Sequence, residues 1–206
     1  MDLAPITLHG HLVRLEPLGP QHLDGLCAVG FDESLWTLTQ NVIRSPADMQ
    51  GYVAEALGEL QAGTQLPFAT VEQASGVVVG STRFGSVSHE HRRVEIGWTW
   101  IGTRWQRSGV NTEAKYLMLR HAFETMGARR VELKTNALNT RSRDAMRRIG
   151  AIEEGTLRQH MIRPDGSSRD SVYFSIIDGE WPGVKARLHE MMASGARTVG
   201  PARGSF

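Results

Sequence analysis

One succession in the sequence constrains the fold more than any other: a strand, an irregular loop and a helix follow one another over residues 92–126. Residues 92–101 alternate with the period of two that is typical of a β-strand. The two predicted faces are Val94, Ile96, Trp98 and Trp100 on one side, and Glu95, Gly97, Thr99 and Ile101 on the other. Residues 102–109 are polar and irregular, and apolar residues then recur with helical spacing over residues 110–126. This succession predicts a helix packed against a β-sheet, because each element has an apolar side to bury.

Other strands and helices flank this segment. Strands are predicted for residues 11–18, 66–73, 77–87, 130–136, 152–163 and 169–177, and further helices for residues 21–30, 46–60, 139–149 and 178–192. Ser45 and Asn139 are predicted to cap helices, and Pro46 fits the first helical position. The simplest architecture that fits this order of elements is an α/β (α+β) fold, a single mixed β-sheet with helices on both faces. We expect one domain over residues 1–193 and a flexible C-terminal tail over residues 194–206.

Length and composition exclude several classes of protein. The chain has 206 residues, of which 40% are hydrophobic and 22% charged, as expected of a globular protein with its own core. Because no apolar run reaches about 18 residues and the N-terminus is acidic, we expect neither a membrane span nor a signal peptide. Cys27 is the single cysteine, which excludes an intramolecular disulfide. These features predict a cytoplasmic protein without membrane association.

Charge is unevenly distributed along the chain. Residues 1–90 hold 3 Arg/Lys against 10 Asp/Glu, whereas residues 102–148 hold 11 Arg/Lys against 4 Asp/Glu. This asymmetry indicates an anionic ligand beside the basic segment and a cationic one beside the acidic half. Nucleic acid would be one such anion, but the basic segment lacks the stacked aromatic residues and zinc-ligand spacing of common nucleic-acid modules. We therefore expect no nucleic-acid partner.

Residues 106–111 (QRSGVN) open the central helix and have the chemistry of an anion site. A glycine at the mouth of a helix lets consecutive N–H groups converge on an anion, and the helix dipole favours negative charge there. Arg104 and Arg107 add positive charge. The chain contains neither a nucleoside-triphosphate P-loop motif nor a dinucleotide-binding glycine fingerprint. From these residues alone, the loop is either a phosphate cradle or an ordinary turn that uses glycine for its backbone geometry.

Four motifs together resemble those of the GNAT acetyl-CoA-dependent N-acetyltransferases, in their RimJ/RimL-like branch. Residues 106–111 resemble the [Q/R]-x-x-G-x-[G/A] loop of that family, with Asn111 in place of the final small residue. The other three are residues 94–98 (VEIGW), residues 136–151, which resemble an N-x-x-N-x-x-S segment followed by K-x-G-F, and residues 154–158 (EGTLR). The motifs occur in the usual order, and the resemblance covers about residues 10–192.

The resemblance implies that acetyl-CoA serves as the acetyl-donor cosubstrate and that no metal is needed. Acetyl-CoA would lie in a V-shaped cleft between two splayed parallel strands, residues 95–101 and 130–136. The cofactor-binding residues implied in this way are Trp98, Thr99, Trp100, Ile101, Arg104, Gln106, Arg107, Ser108, Gly109, Val110, Asn111, Asn136, Asn139 and Ser142. The resemblance also implies direct transfer without an acyl-enzyme, so that Cys27 need not take part, and a homodimer.

Acetyl transfer to an amine requires a base, because most amines are protonated at neutral pH. Glu95 is the first candidate, on the cofactor strand and on the face opposite Trp98 and Trp100; the alternative is a structural carboxylate paired with Arg92 or Arg93. His160 is the second candidate base, because its ordinary pKa suits the task.

A leaving thiolate benefits from a proton donor. Ser142 is predicted to donate that proton, unless its hydroxyl only caps the helix, and Tyr173 is a weaker candidate for the same role.

Several points stay open in the sequence. The acceptor is a protein N-terminal amine or a small-molecule amine, and the alternative function is a non-catalytic acyl-CoA-binding domain of the same fold. Trp98, Trp100 and Trp105 either wall the acceptor pocket or belong to the core. Residues 89–91 (HEH) are predicted to be solvated turn residues and not metal ligands, because consecutive side chains in a hairpin loop diverge.

Overall fold

The computed structural model describes residues 1–196 as one β-sheet with helices packed on it. The strands are β1 (Leu8–His9), β2 (Val13–Pro17), β3 (Leu66–Glu72), β4 (Val78–Ser88), β5 (Arg93–Ile101), β6 (Arg130–Asn136), β7 (Ile152–Ile162) and β8 (Ser168–Ile177). The helices are α1 (Leu23–Gly30), α2 (Pro46–Gln61), α3 (Val110–Arg120), α4 (Thr140–Arg148) and α5 (Trp181–Ala196). A short π-helical stretch, His121–Thr125, continues α3.

The sheet has eight strands in the order β1-β2-β3-β4-β5-β6-β8-β7. The pair β5–β6 is parallel, and the other neighbouring strands are antiparallel. The predicted single mixed sheet is therefore confirmed. Three short elements were not predicted: β1 and the 3-10 turns Glu33–Leu35 and Thr103–Trp105.

The predicted helix caps are present. Ser45 Oγ accepts a hydrogen bond from Asp48 N at 3.2 Å, with Pro46 in the first turn, and Asn139 Oδ1 accepts one from Ser142 N at 3.0 Å. Each cap satisfies an N–H group that the helix itself leaves unpaired. Helix α5 continues to Ala196, beyond its predicted end at residue 192, and the remaining part of the predicted tail, residues 197–206, lies outside the described residues.

Two apolar clusters lie on opposite faces of the sheet. The larger cluster joins the sheet to α3, α4 and α5, and its helical members include Val110, Leu117, Ile149, Val184 and Leu188. The smaller cluster joins β3 and β5 to α1 and α2, and its members include Leu26, Met49, Tyr52, Val71 and Trp100. Helices therefore cover both faces, as predicted. We call these the α3 face and the α2 face of the sheet.

The α2 face changes character along the sheet. Among the described residues, the buried apolar cluster on this face contains none from β6, β7 or β8. Polar side chains occupy this region instead, including Glu95, Glu132, Lys134 and Tyr173. This polar region, which we call the open face, lies beside the boundary between β5 and β6. None of the helices in residues 1–196 has the length and apolar character needed to cross a membrane.

Candidate active site

The parallel strands β5 and β6 separate after a short stretch of pairing. They are in register from Arg93 opposite Arg130 to Glu95 opposite Glu132. Beyond that point the two strands no longer pair, although β5 runs on to Ile101 and β6 to Asn136. The gap is the predicted V-shaped cleft, with its apex beside Glu95.

A bulge in β5 lies just above this apex. Trp98 has a φ of 50°, which is unusual for a bulky residue, and the pairing with β4 shifts register between Ser81 and Arg83. An extra residue in one strand reverses the alternation of side chains beyond it. Trp98 therefore lies on the α2 face, as Glu95 does, and its ring lies 5.7 Å from the guanidinium of Arg83. Strain of this kind in a strand is typical of a functional site.

The same bulge moves Trp100 to the α2 face, where its ring lies 5.2 Å from that of Trp36. The prediction that Glu95 lies opposite Trp98 and Trp100 is thus wrong, because it assumed an unbroken pleat. Thr99 is turned the other way and contacts α3 through Lys115.

The bulged strand directs backbone groups into the cleft. Gly102 N donates to Val79 O on the β4 side at 2.8 Å, so by alternation Thr99 and Ile101 turn their backbone groups away from β4. The carbonyl of Ile101 accepts a hydrogen bond from Gln106 Nε2 at 2.9 Å. The Thr99 backbone and the Ile101 N–H therefore face the gap, where an amide-containing ligand can pair with them.

Helix α3 presents its N-terminus at the wide end of the cleft. Val110 N donates a hydrogen bond to Ser108 Oγ at 3.3 Å, and Arg107 has a left-handed φ of 59°. Gly109 has an ordinary φ of −67°, so its contribution is the space left by the absent side chain. A Cβ there would lie 2.5 Å from Leu12 Cδ1. The exposed Arg104 and Arg107, together with the helix dipole, make this loop suited to an anion.

The loops that follow the two splayed strands touch each other. Arg141 Nη1 donates to Gln106 Oε1 at 2.6 Å, joining the start of α4 to the loop before α3. Asn136 and Asn139 shape the turn between β6 and α4: Asn136 Oδ1 accepts from Leu138 N at 2.9 Å, and Asn139 caps the helix. These contacts bring the loop before α3 and the start of α4 together at the wide end of the cleft.

Two predicted residues at the cleft have unused polar atoms. Asn111 Oδ1 is buried and has no hydrogen-bond partner among residues 1–196. Ser142 is half-buried, and its hydroxyl has no hydrogen-bond partner within residues 1–196. Ser142 belongs to α4, which packs on the α3 face through Met146 and through Ile149 at its C-terminal end. Ser142 and Glu95 thus approach the cleft from opposite faces of the sheet.

Glu95 is a nearly buried carboxylate, with its side chain 5% exposed. Its Oε2 lies 3.2 Å from Lys134 Nζ and accepts a hydrogen bond from Ser86 Oγ at 3.0 Å. Arg92 donates instead to the carbonyl of Gly127, and Arg93 Nη1 lies 3.2 Å from Glu132 Oε2. The alternative of a Glu95 pair with Arg92 or Arg93 is therefore wrong.

Lys115 on α3 is a second buried group at the cleft, and sequence reasoning missed it. Its Nζ donates to Thr99 Oγ1 at 2.8 Å. Burial lowers the pKa of Lys115 from its ordinary value of 10.5 to about 7, while the negative charge of Glu95 acts in the opposite direction. Lysine is rare in this chain, and two of its three lysines, Lys115 and Lys134, lie beside Glu95. That rarity was the one signal available in the sequence.

A row of side chains extends from Glu95 across the open face. Lys134 lies opposite Tyr173 in the β6–β8 pairing, and its Nζ is 5.7 Å from the centre of the tyrosine ring. The His160 ring packs edge-on at the far end of the row, 5.7 Å from the Tyr173 ring. Glu95 and His160, the two candidate bases, therefore belong to one connected surface.

Two other predicted groups lie away from this chemistry. Cys27 is half-buried on α1, and burial raises the pKa of its thiol, which disfavours a nucleophilic thiolate. His89, Glu90 and His91 are turn residues between β4 and β5, as predicted. In the described range, residues 1–196, no group of three or more His, Cys, Asp or Glu side chains is arranged to hold a metal ion.

The cleft combines three features: a parallel strand pair that separates, a helix N-terminus at its wide end and a buried carboxylate at its apex. A family model described as an acetyltransferase (GNAT) domain matches residues 13–152. The chain belongs to the GNAT acetyltransferase family.

Individual relatives agree with this assignment. The protein named "Putative ribosomal N-acetyltransferase YdaF" from Bacillus subtilis (strain 168) is 32% identical over 110 residues, which is 53% of this chain and 59% of that relative's length. A structure described as a "putative acetyltransferase" from T. thermophilus is 35% identical, with a TM-score of 0.84, over 93% of this chain and 99% of that chain. RimJ of Mycobacterium smegmatis shares the fold at 24% identity, with a TM-score of 0.78, over 94% of this chain and 96% of that chain. The first two relatives agree with the acetyltransferase family, and the third shows the fold.

Proposed function

We propose that the chain is an enzyme that transfers an acetyl group from acetyl-CoA directly to the nitrogen of an amine acceptor. One observation carries the proposal: β5 and β6 separate at Glu95, and the gap between them opens towards the N-terminus of α3. Members of the GNAT acetyltransferase family use acetyl-CoA. The cleft provides the two things this cosubstrate needs, an anion site and free backbone groups.

The cosubstrate would run along the α3 face of the cleft. Its pyrophosphate would bind the N–H groups of residues 106–111, with Arg104 and Arg107 supplying charge. Its pantetheine amides would pair with the backbone of Thr99 and Ile101. Asn136 and Asn139 would line the thioester end, with Ser142 beside the sulfur. This placement keeps Trp98 and Trp100 on the acceptor side.

The chemistry follows from the placement of charge around the apex. The acceptor arrives from the open face, and Glu95 removes a proton from its nitrogen. The neutral nitrogen attacks the thioester carbonyl, the new C–N bond forms and the C–S bond breaks. Backbone N–H groups of the splayed strand stabilise the oxygen of the tetrahedral intermediate. Ser142 protonates the departing thiolate, its proton is replaced through solvent by the second proton lost from the acylated nitrogen, and Glu95 then releases its own proton to water.

Lys134 acts in this scheme as a positioning residue, because its ammonium fixes the carboxylate of Glu95. His160 is the alternative base, since Tyr173 and Lys134 connect it to the same surface. We propose a small-molecule amine or a protein N-terminal amine as acceptor, in a cytoplasmic homodimer. The word "ribosomal" in the name of the Bacillus relative supports the protein acceptor.

Thiol release from acetyl-CoA in the presence of an amine panel tests the proposal. The panel includes N-terminal peptides, polyamines and amino acids, and the products are identified by mass. We expect thiol release that requires the amine and yields one acetyl amide per thiol. Binding of acetyl-CoA without amine-dependent thiol release would instead identify a non-catalytic acyl-CoA-binding domain.

A further inference from the structure

Arg169 is a nearly buried cation without a protein partner. It is 8% exposed, and its Nε has no hydrogen-bond partner among residues 1–196. Within the same residues, the guanidinium forms no ion pair and no side-chain hydrogen bond. An uncompensated buried charge is strongly unfavourable, and a guanidinium stays charged at any physiological pH. Arg169 therefore has no direct anionic partner among residues 1–196, and a bound anion would supply one.

Arg169 lies on the open face. Residues 171–177 of β8 pair regularly with β6, and Val172 and Phe174 between them belong to the cluster on the α3 face. Ser171 and Tyr173 therefore point the opposite way, and Arg169 precedes Ser171 by one full period of the strand. The nearby negative charge of Glu95 acts to raise the pKa of Arg169, although burial lowers it overall. The Arg169 guanidinium is thus close enough to Glu95, at the apex of the cleft, for their charges to interact.

Neighbouring polar atoms on this face are also unsatisfied. Within residues 1–196, Ser171 Oγ and His160 Nδ1 are buried and have no hydrogen-bond partner. Ser171 Oγ can donate a hydrogen bond, as can His160 Nδ1 when it carries the ring proton, and an ordinary protein interior leaves few such groups unpaired. Arg163, a nearby cation, has partners of its own: its Nη1 lies 3.6 Å from Asp165 Oδ2, and its Nη2 donates to the carbonyl of Thr37. Arg163 thus has a direct anionic partner, although its Nε is unpaired, whereas Arg169 has no ion pair within residues 1–196.

A carboxylate matches this set of groups. The planar fork of a guanidinium binds a carboxylate through two parallel hydrogen bonds, and a hydroxyl beside it adds a third donor. The pyrophosphate of coenzyme A is assigned above to residues 106–111, at the wide end of the cleft. The anion at Arg169 must then enter from the open face, along the route that the acceptor amine takes to Glu95.

We infer that the acceptor is an amine that also carries an anionic group, a carboxylate or a group of similar geometry, and that Arg169 binds this anion while Glu95 faces the amine. The inference rests on the proposed function, because it places the acceptor on the open face. It names the substrate class as amino acids and similar zwitterionic amines. The N-terminus of a peptide without acidic side chains carries no anionic group that Arg169 could bind.

Matched pairs of acceptors test the inference. Each pair is an amino acid and its carboxamide, over α-amino acids and ω-amino acids of increasing length, with turnover followed by thiol release from acetyl-CoA. We expect kcat/KM for the best amino acid to exceed that for its carboxamide at least about tenfold. A hydrogen bond to a charged group typically strengthens binding by about that factor or more. Arg169→Gln should raise KM for the amino acid at least about tenfold, and leave KM for the carboxamide and for acetyl-CoA nearly unchanged.

Two variants and a binding measurement complete the experiment. Arg158→Gln removes the same charge from an exposed position on β7 and should change neither KM. Arg169→Lys should restore part of the preference, which separates charge recognition from misfolding. Calorimetry with coenzyme A present measures amino-acid and carboxamide binding without turnover, and we expect wild-type protein, but not Arg169→Gln, to prefer the amino acid.

Three outcomes would overturn the inference. These are equal binding of both members of every pair, an unchanged preference in Arg169→Gln, or an effect of Arg169→Gln on KM for acetyl-CoA alone, which would assign the anion to the cosubstrate. Absence of turnover with every amine would contradict the proposed function alone, because the calorimetric preference would still decide the role of Arg169.

Discussion

Lys134 Nζ lies 3.2 Å from Glu95 Oε2, across the point where β5 and β6 separate. Lys134 is two residues beyond Glu132, the last residue of β6 that pairs with β5, so its side chain reaches back over the apex. Both side chains are mostly buried, at 18% and 5% exposure, and such a pair is screened little by solvent. The pair fixes a carboxylate at the place where an amine and a thioester would meet.

Substitution of Glu95 by Gln should lower kcat by at least about 10², because removal of a general base typically costs about 10²–10⁴ in rate. The acid limb of the pH–rate profile should flatten, since the group that must be ionised is gone. The dissociation constant of coenzyme A should change little, as Glu95 lies on the acceptor side. Steady-state kinetics and calorimetry measure these quantities.

Glu132→Gln is the matched control, because Glu132 is on the same face and opposite Glu95, but pairs with Arg93 and Arg130. It should keep kcat within a few-fold. Retention of full kcat in Glu95→Gln with its loss in His160→Ala would transfer the base role to His160.

Gly109→Asp should weaken coenzyme A binding strongly. The new side chain crowds Leu12 and places a negative charge at the helix N-terminus where the pyrophosphate would bind. Gly109→Ala introduces the Cβ alone and separates the steric part of the effect. Gly58→Asp, at an open position of α2, is the control for added charge. Unchanged affinity in Gly109→Asp by calorimetry would refute this placement of the cosubstrate.

Lys115 predicts a specific pH dependence of stability. Its folded-state pKa is about 7, below the ordinary value of 10.5, so the unfolded chain binds this proton more tightly. Between these two values the unfolded state carries more protons, and the free energy of unfolding should rise with pH by up to about 1.4 kcal/mol per unit from this group. Below about pH 7 the contribution is constant and unfavourable.

Urea unfolding of wild type and Lys115→Met at a series of pH values between about 7 and 10 tests this directly. Wild type should gain stability relative to the variant as pH rises. Lys185→Met, which removes a half-exposed lysine paired with Glu124, should keep the wild-type slope. Parallel curves for wild type and Lys115→Met would show that burial does not shift this lysine.

Local patterns made most of the fold predictable. Alternation marked β5 and β6 because both carry apolar residues on a buried face, and the Ser45 and Asn139 caps use side chains that bond the adjacent helix locally. The V-shaped cleft was predictable only through the family resemblance, since the pairing of β5 with β6 joins segments far apart in sequence. A two-residue β1 has too few positions to show any period.

The details of the site depend on tertiary context. The bulge at Trp98 cannot be predicted from the sequence, because residues 92–101 alternate as they would in a strand without a bulge. Arg92 and Arg93 are closer to Glu95 along the chain than Lys134, yet the parallel register makes Lys134 the partner. No local pattern marks the burial of Lys115 and Arg169, because it follows from packing between distant elements.

The β7 strand offers a surface for the proposed homodimer. It lies at the edge of the sheet, and Ile152, Leu157 and Ile162 on it are 53%, 49% and 78% exposed. Sedimentation at tens of micromolar should give a dimer, and Ile162→Lys should shift it towards monomer, because a charge in an apolar contact is unfavourable. Leu138→Lys, at an exposed apolar position outside the hairpin, should stay dimeric. A strictly monomeric wild type would contradict the dimer.

A single-turnover reaction with acetyl-labelled acetyl-CoA tests direct acetyl transfer most directly. Protein in excess is mixed with the labelled cosubstrate and the best acceptor of the amine panel, and the label is followed by mass in the protein, the amine and free acetate. The proposed function predicts that the label passes into an amide on the acceptor, with none on the protein at any time and a rate lowered at least about 10² by Glu95→Gln. Label trapped on the protein before it reaches the amine, or released only as acetate, would contradict direct transfer at this cleft.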